Sequence, residues 1–439
     1  MKGYILKSNT FSILTLGCRV NQYESDCISE ALTEAGLTKT EFGESCDVAI
    51  VNTCTVTAES DRKSRQMIRR AISSAENVIV TGCFAETGRK TAEAMDGVTY
   101  ITGNGKKSEV ISAAIRLAAG EPASAEFPDV SKAPYDVMVS RIPQRTRSYI
   151  KIEDGCDSHC SYCIIPKARG CVRSKPYELI VKEAKDLFDA GCREVILTGI
   201  ETAAYGRDFG RQPYYGSALA DVIKAVADIG YSRIGLGSLD PTVMNDSFVN
   251  AIADIPALMP HFHLSVQSGS SSVLARMRRR YNTAMLEDNI ARLRKAIPAL
   301  TLSADIIVGF PGETEEEFEE TLSFAQRIGF LHLHIFPYSV REGTEAAAMS
   351  GQLPGNVKSQ RLHRLSEAQA KLKKVLLDSY VSAHRDAPVA VLVEESKNGR
   401  LYGHSEHFAE VVLDGDESLI GQIVPVKLYS SDGNICYAK

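Results

Sequence analysis

The chain has 439 residues, 44% of them hydrophobic and 24% charged, with a net charge of −5 at pH 7. That is enough for two or three full-sized cores; no run approaches eighteen consecutive apolar residues, which excludes a membrane span, and no signal peptide is expected. The charge gives no global pull toward nucleic acid, and eleven cysteines, six of them in two triplets, read as reduced thiols for metal in a cytosol rather than a disulfide framework.

In chain order, the first apolar stretch runs from the N-terminus into a strand at 11–16, and strands follow at 47–51, 77–81 and 98–101, each trailed by a helical stretch. This is the pattern of a doubly wound parallel sheet over residues 10–120. The first three strands each end at a cysteine: Leu16-Gly17-Cys18, Asn52-Thr53-Cys54 and Thr81-Gly82-Cys83. Ligands of open parallel sheets bind beyond the carboxyl ends of the strands, so three thiols far apart in sequence come to one edge. Residues 121–133 read as the interdomain linker.

From about 140 to 375, six short strands (148–154, 194–200, 233–239, 261–268, 300–310 and 332–339) alternate with amphipathic helices near 177–190, 216–229, 243–256, 283–296 and 314–328. The pattern predicts an open (β/α)6 barrel, a partial TIM-like fold with its chemistry at the strand C-termini. Cys156, Cys160 and Cys163 follow the first strand with the spacing C-x3-C-x2-C. Three thiolates are one short of a closed zinc site, and a four-iron cluster held by three cysteines keeps one iron open to a reacting ligand. A helix over 357–385 is predicted to close the barrel and lead to the tail. The tail, 386–439, reads as strands at 389–394, 402–404, 408–413, 422–429 and 434–437, a small closed β-barrel of the TRAM or OB type. It holds four Lys or Arg against nine Asp or Glu, so if it binds RNA, stacking by Tyr402, His404, His407 and Phe408 serves better than its charge, and a packing role is the alternative.

The C-x3-C-x2-C spacing, with Tyr162 before the third cysteine, resembles the radical S-adenosylmethionine (SAM) superfamily. Asn52-Thr53-Cys54-Thr55-Val56-Thr57, the run Cys163 to Gly170, Val266-Gln267-Ser268-Gly269, the run Asp305 to Thr314, and Phe336-Pro337-Tyr338-Ser339 resemble the motifs of the radical SAM methylthiotransferases over nearly the whole chain. Thr15 to Ser25 around the first cysteine is similar to the branch that modifies N6-threonylcarbamoyladenosine in tRNA; Arg19-Val20-Asn21 differs from the isopentenyladenosine and ribosomal-protein branches. The resemblance implies two 4Fe-4S clusters, one on Cys18, Cys54 and Cys83 presenting sulfur and one on Cys156, Cys160 and Cys163 reducing SAM. Two SAM molecules are spent for each methylthio group placed on adenine C2. It also implies a cytoplasmic enzyme acting on the tRNA anticodon stem-loop with a flavodoxin- or ferredoxin-type electron donor; the sulfur source stays open.

For SAM, the family pattern suggests backbone near Tyr162 together with Thr198, Gly199, Glu201, Ser238, Gln267 and Asp305. Glu201 and Cys171 depart from it, at positions where the family more often has His or Asn and Arg respectively. Local basic faces beside the cysteine loops supply candidate RNA contacts: Arg65, Arg69, Lys167, Arg169, Arg173, Arg278 and Arg279. Cys27, Cys46, Cys192 and Cys436 have no ligand spacing and read as core thiols. The alternatives are a methylthiotransferase of another branch and a non-catalytic zinc- and RNA-binding protein.

Overall fold

A computed structural model describes residues 9–439; the first eight residues, read above as leading into the opening strand, lie outside the described residues. The N-terminal part is a five-stranded parallel sheet, β1 (Thr10–Thr15), β2 (Thr38–Lys39), β3 (Cys46–Thr53), β4 (Ala75–Gly82) and β5 (Tyr100–Ile101), in the order β2-β1-β3-β4-β5. The central strand β3, with Val48 to Val51 fully buried, is apolar throughout because helices cover both faces of such a sheet. One face carries the helix Arg19–Glu34 and the helix Glu109–Ala118, the other the helix Ala58–Ile72, whose N-cap Thr57 accepts the backbone N–H of Ser60.

The predicted linker, 121–133, holds no helix or strand and runs on without either to residue 147; beyond the linker this segment is strapped across the junction between the N-terminal sheet and the barrel. The Met138 carbonyl accepts from Tyr23 Oη and Lys175 Nζ, and the Ser140 hydroxyl donates to Glu30.

The predicted first barrel strand divides at Ile152. β6 (Ser148–Lys151) lies in the barrel wall, whereas β7 (Glu153–Asp154) leaves it to pair antiparallel with β8 (Arg173–Ser174). This ribbon clasps the base of the loop that carries Cys156, Cys160 and Cys163. The wall continues as β9 (Glu194–Thr198), β10 (Arg233–Leu236), β11 (His261–Gln267), β12 (Thr301–Val308) and β13 (His332–Pro337). They form two three-stranded parallel sheets, β6-β9-β10 and β11-β12-β13, joined by a bridge between Leu239 and Leu264. The five predicted helices are present outside this wall, and the α/β class holds. The last of them, Glu315–Ile328, starts with a capping box in which Thr314 and Glu317 satisfy each other's backbone N–H groups.

The long helix Gly355–Ala383 packs on both β13 and the tail, as its sequence predicted. The tail is a curled six-stranded sheet, with β14 (Val389–Lys397), β15 (Arg400–Ser405), β16 (Glu410–Leu413), β17 (Ile423–Val426), β18 (Leu428–Ser431) and β19 (Cys436–Ala438) in the order β17-β14-β15-β16-β19-β18. Among the described residues β17 and β18 do not pair, so the expected closed barrel stays open along that seam. The predicted strand 422–429 splits because Lys427 turns to exchange backbone hydrogen bonds with Lys439. Phe408, at φ +63°, cannot extend the start of β16. No helix of the described residues is long and apolar enough to cross a membrane.

Candidate functional site

The cysteines of the first triplet follow β1, β3 and β4, which lie side by side, so the fold brings them to one edge. Gly17 and Gly82 precede Cys18 and Cys83 at φ +99° and +93°, and a Cβ at Gly17 would stand 2.9 Å from Cys54 Sγ, while one at Gly82 would stand 2.5 Å from the Thr53 carbonyl. Only glycine lets the backbone fold this close to the neighbouring thiol. The three sulfurs feel one another's charge, and Cys83 Sγ accepts from Arg169 Nε at 3.4 Å and lies 3.6 Å from Asn104 Nδ2. Burial pushes the Cys54 thiol up to about 11.

The second triplet is held just as tightly. Cys156 N–H donates to the Gly170 carbonyl, Ser161 anchors to the carbonyls of Met277 and Arg276, and Arg279 Nη1 donates to Cys160 Sγ at 3.2 Å. Burial pushes Cys156 up to about 11 and Cys163 up to about 12, so each thiol holds its proton until a metal replaces it. Among the described residues no three His, Cys, Asp or Glu side chains are arranged to hold a single metal ion. The soft three-thiol sets and their glycine-cleared cradles fit an iron–sulfur cubane, which gives each thiol its own iron.

Gly155, at φ +88°, lets the loop turn into Cys156; a Cβ there would stand 1.9 Å from the carbonyl oxygen of the exposed Cys171. The backbone of Cys171, rather than its thiol, therefore shapes the loop. Gly155→Ala is expected to cost about 1–3 kcal/mol from the left-handed backbone alone, with iron uptake by the second triplet lost; iron content and the chemical unfolding midpoint check it.

A cavity of about 320 Å³ joins the two halves. One wall is formed by Thr198, Gly199 and Ser238, the other by His263, Asp305 and His334, and Gly17 to Val20 roof it with the exposed Cys18. Four of the residues expected at SAM, Thr198, Gly199, Ser238 and Asp305, thus meet in one space. Tyr162, Glu201 and Gln267 do not line it. The Tyr162 ring packs beside the Phe310 and Tyr338 cluster. Gln267 ends β11 after a register break, at φ +69°. Asp305 Oδ2 lies 3.3 Å from His263 Nε2.

Glu201 turns its carboxylate inward, accepting from the backbone N–H groups of Asp240 at 2.9 Å and Ala203 at 3.3 Å. Burial, with the nearby Asp240 carboxylate, raises its pKa to about 8. Because the folded value lies above the unfolded one of 4.5, this group favours the fold fully below pH 4.5, and the contribution drains away as pH rises through 8. Glu201→Gln is expected to flatten the pH dependence of stability of the iron-free protein between those limits, as read from unfolding midpoints.

The basic residues separate into two groups. Arg65, Arg69, Lys167 and Arg278 keep exposed or part-exposed side chains, Arg278 paired with Glu345 at 2.7 Å. The side chains of the other three are buried. Arg169 is fully buried, donating to Glu24, Asp154, Asn21 and Cys83. Arg173 is buried against the Arg169 and Pro134 carbonyls, and Arg279 is held by Asp240, Tyr281 and Cys160. Arg169 and Arg173 follow the second cysteine loop and Arg279 belongs to the basic run before Tyr281; all three turn inward, because the buried carboxylates Glu24, Asp154 and Asp240 need cations.

Sequence reasoning missed His263 and His334 as cavity residues, and Arg19 as one. The signal was present: His261 and His263, and His332 and His334, stand two apart on strands, which puts each pair on one face.

Residues 150–325 match the model of the Radical SAM superfamily, and residues 10–103 that of the Uncharacterized protein family UPF0004. The chain is 37% identical over 95% of its length, and 93% of the relative's, to the threonylcarbamoyladenosine tRNA methylthiotransferase MtaB of Bacillus subtilis. It is 34% identical to the MtaB of Thermotoga maritima over 97% of the chain and 96% of that relative. To the tRNA-2-methylthio-N(6)-dimethylallyladenosine synthase of Aquifex aeolicus it is 33% identical over 97% of each. The fold resembles that of the radical SAM methyltransferase TsrM of Kitasatospora setae, with a TM-score of 0.55 at 14% identity over 77% of each chain. With full-length relatives at this level of identity, and with one cysteine triplet in each half of the fold, the chain belongs to the radical SAM methylthiotransferase family.

Proposed function

We propose that the chain is a tRNA methylthiotransferase that converts N6-threonylcarbamoyladenosine beside the anticodon into its 2-methylthio derivative. The single observation that carries this reading is the shared cavity: Cys18 of the first triplet opens into the same space as Thr198, Gly199 and Ser238 at the barrel mouth. A sulfur-bearing site and a SAM site facing one chamber are what joining sulfur to an unactivated base requires. The substrate is supported by the relatives from B. subtilis and T. maritima. The A. aeolicus relative supports a second reading, isopentenyladenosine; the polar lining of the cavity favours the first.

When bound, the two 4Fe-4S clusters and SAM supply the electron, the radical chemistry, the sulfur and the methyl group. The residues of the chain hold and enclose them. Cys18, Cys54 and Cys83 would ligate one cluster, and Cys156, Cys160 and Cys163 the other. Arg169 and Arg279 each donate to a ligand sulfur and so stabilise its thiolate. Thr198, Gly199, Ser238 and Asp305 would position SAM, and the cavity roof formed by Gly17 to Val20 would keep water from the reacting base. Exposed Arg65, Arg69, Lys167 and Arg278 would take RNA phosphates. The parts divide the labour as a cluster domain over 10–120, a barrel over 140–375 and an RNA-directed tail over 386–439. The enzyme works in the cytoplasm and draws electrons from a flavodoxin- or ferredoxin-type donor.

The test is mass spectrometry of nucleosides from tRNA incubated anaerobically with reconstituted protein, SAM and reductant. A methylthio adduct on threonylcarbamoyladenosine supports the proposal; an adduct on isopentenyladenosine supports the second reading.

A further inference from the structure

Arg19 directly follows Cys18 and lines two adjoining cavities, the chamber of about 320 Å³ at the barrel mouth and a space of about 120 Å³ deeper in the barrel. His263 and His334 line both as well, so the two spaces share a wall. Among the described residues no hydrogen bond or ion pair engages the Arg19 guanidinium; its neighbours act on it only at longer range. The carboxylates that could quench it are committed elsewhere. Asp305 is paired with His263, and Glu194 with Arg147 and Arg233, both at 3.1 Å. Burial holds His261 and His334 below their ordinary range and His332 down to about 4, so these cavity imidazoles are neutral hydrogen-bonding groups. Among the described residues Arg19 is the one arginine or lysine that lines either space.

A planar fork of five donors left without an acceptor in a confined cavity is matched by a carboxylate that arrives with a ligand. A base whose C2 edge faces Cys18 carries its N6 substituent on another edge of the ring, and the deeper space beside Arg19 is polar enough to receive it. We propose that Arg19 is the specificity residue that binds the carboxylate of the threonyl arm of the substrate nucleoside, with the neutral histidines taking its uncharged polar groups. The inference rests on the proposed function. It supplies a negative element too: an apolar isopentenyl arm would leave the guanidinium desolvated and unpaired, and is rejected for that reason.

The test uses reconstituted holoenzyme and anticodon stem-loop RNA carrying either threonylcarbamoyladenosine or its carboxylate methyl ester. Wild type is expected to prefer the acid by about 100-fold in kcat/KM, the scale of a bidentate charged contact. In Arg19→Gln that ratio falls to near one, with the KM for SAM and the iron content unchanged; Arg19→Lys recovers part of the preference. Equal handling of acid and ester by wild type overturns the inference without any variant. An Arg19→Gln enzyme that keeps the preference also overturns it, as does one whose main change is a raised KM for SAM, which assigns the guanidinium to the SAM carboxylate instead. If wild type modifies isopentenyladenosine RNA but not threonylcarbamoyladenosine RNA, the proposed function itself fails and the inference falls with it.

Discussion

Cys156→Ala is expected to abolish SAM cleavage and the methylthio product together, whereas Cys18→Ala abolishes the product and leaves SAM cleavage in place. The two thiols belong to separate halves of the fold. Cys156 sits in the loop clasped by β7 and β8, and Cys18 caps the helix that roofs the cavity proposed for SAM. Removing one ligand from a three-thiol site leaves two, too few to keep a cubane in place, so each variant should load roughly half the wild-type iron. The measurement is anaerobic turnover with chromatography of 5′-deoxyadenosine and of tRNA nucleosides, alongside iron content. Neither substitution strains the backbone, so both variants should unfold near the wild-type midpoint. If Cys18→Ala also stops SAM cleavage at normal folding, the division of labour between the triplets is wrong. If Cys156→Ala still forms product, the second triplet does not handle SAM.

Most of this architecture was written in local patterns. Alternating apolar runs and amphipathic helices located every strand of the N-terminal sheet except β2, whose two exposed residues carry no pattern, and all six barrel strands. The glycine before Cys18, Cys83 and Cys156 was legible as punctuation, and the structure gives the reason as close approach at positive φ. What could not be read was the fate of charges beside those motifs. Arg169 and Lys167 stand two residues apart in one short helix, yet Arg169 is fully buried and Lys167 exposed. Only the packing of the helix Arg19–Glu34 against the barrel, which brings Glu24 to Asp154, decides which of them turns inward. Likewise no local pattern marks the segment just past the linker, where Met138 and Ser140 are held by tertiary partners, Tyr23 and Glu30.

The same buried charges yield the second large effect: Arg169→Met is expected to lower stability by about 3–5 kcal/mol, the cost of removing one partner from a buried ion-pair network. Glu24 and Asp154 are buried between the N-terminal sheet and the barrel, and Lys107, Lys151 and Arg169 surround them. Burial opposes the Glu24 charge, yet Arg169, Lys107 and Lys151 outweigh it and hold the carboxyl well below its usual range. Because that folded value lies below the unfolded one of 4.5, the network stabilises fully above pH 4.5 and weakens as pH falls toward the folded value. With Arg173 3.7 Å from Asp154, four cations face two carboxylates and leave a surplus positive charge, and Arg169 Nε places it 3.4 Å from Cys83 Sγ. That surplus is suited to a thiolate bound to iron, which ties the stability of the junction to the first cysteine triplet. Arg169→Lys keeps the charge but cannot span Glu24, Asp154, Asn21 and Cys83 at once, so it should recover only part of the loss. Urea unfolding at pH 7 and pH 4, with and without reconstituted iron, measures each part. A wild-type midpoint for Arg169→Met would show that the hydrophobic contacts hold the junction alone. An unchanged iron content in that variant would separate the network from the cysteines.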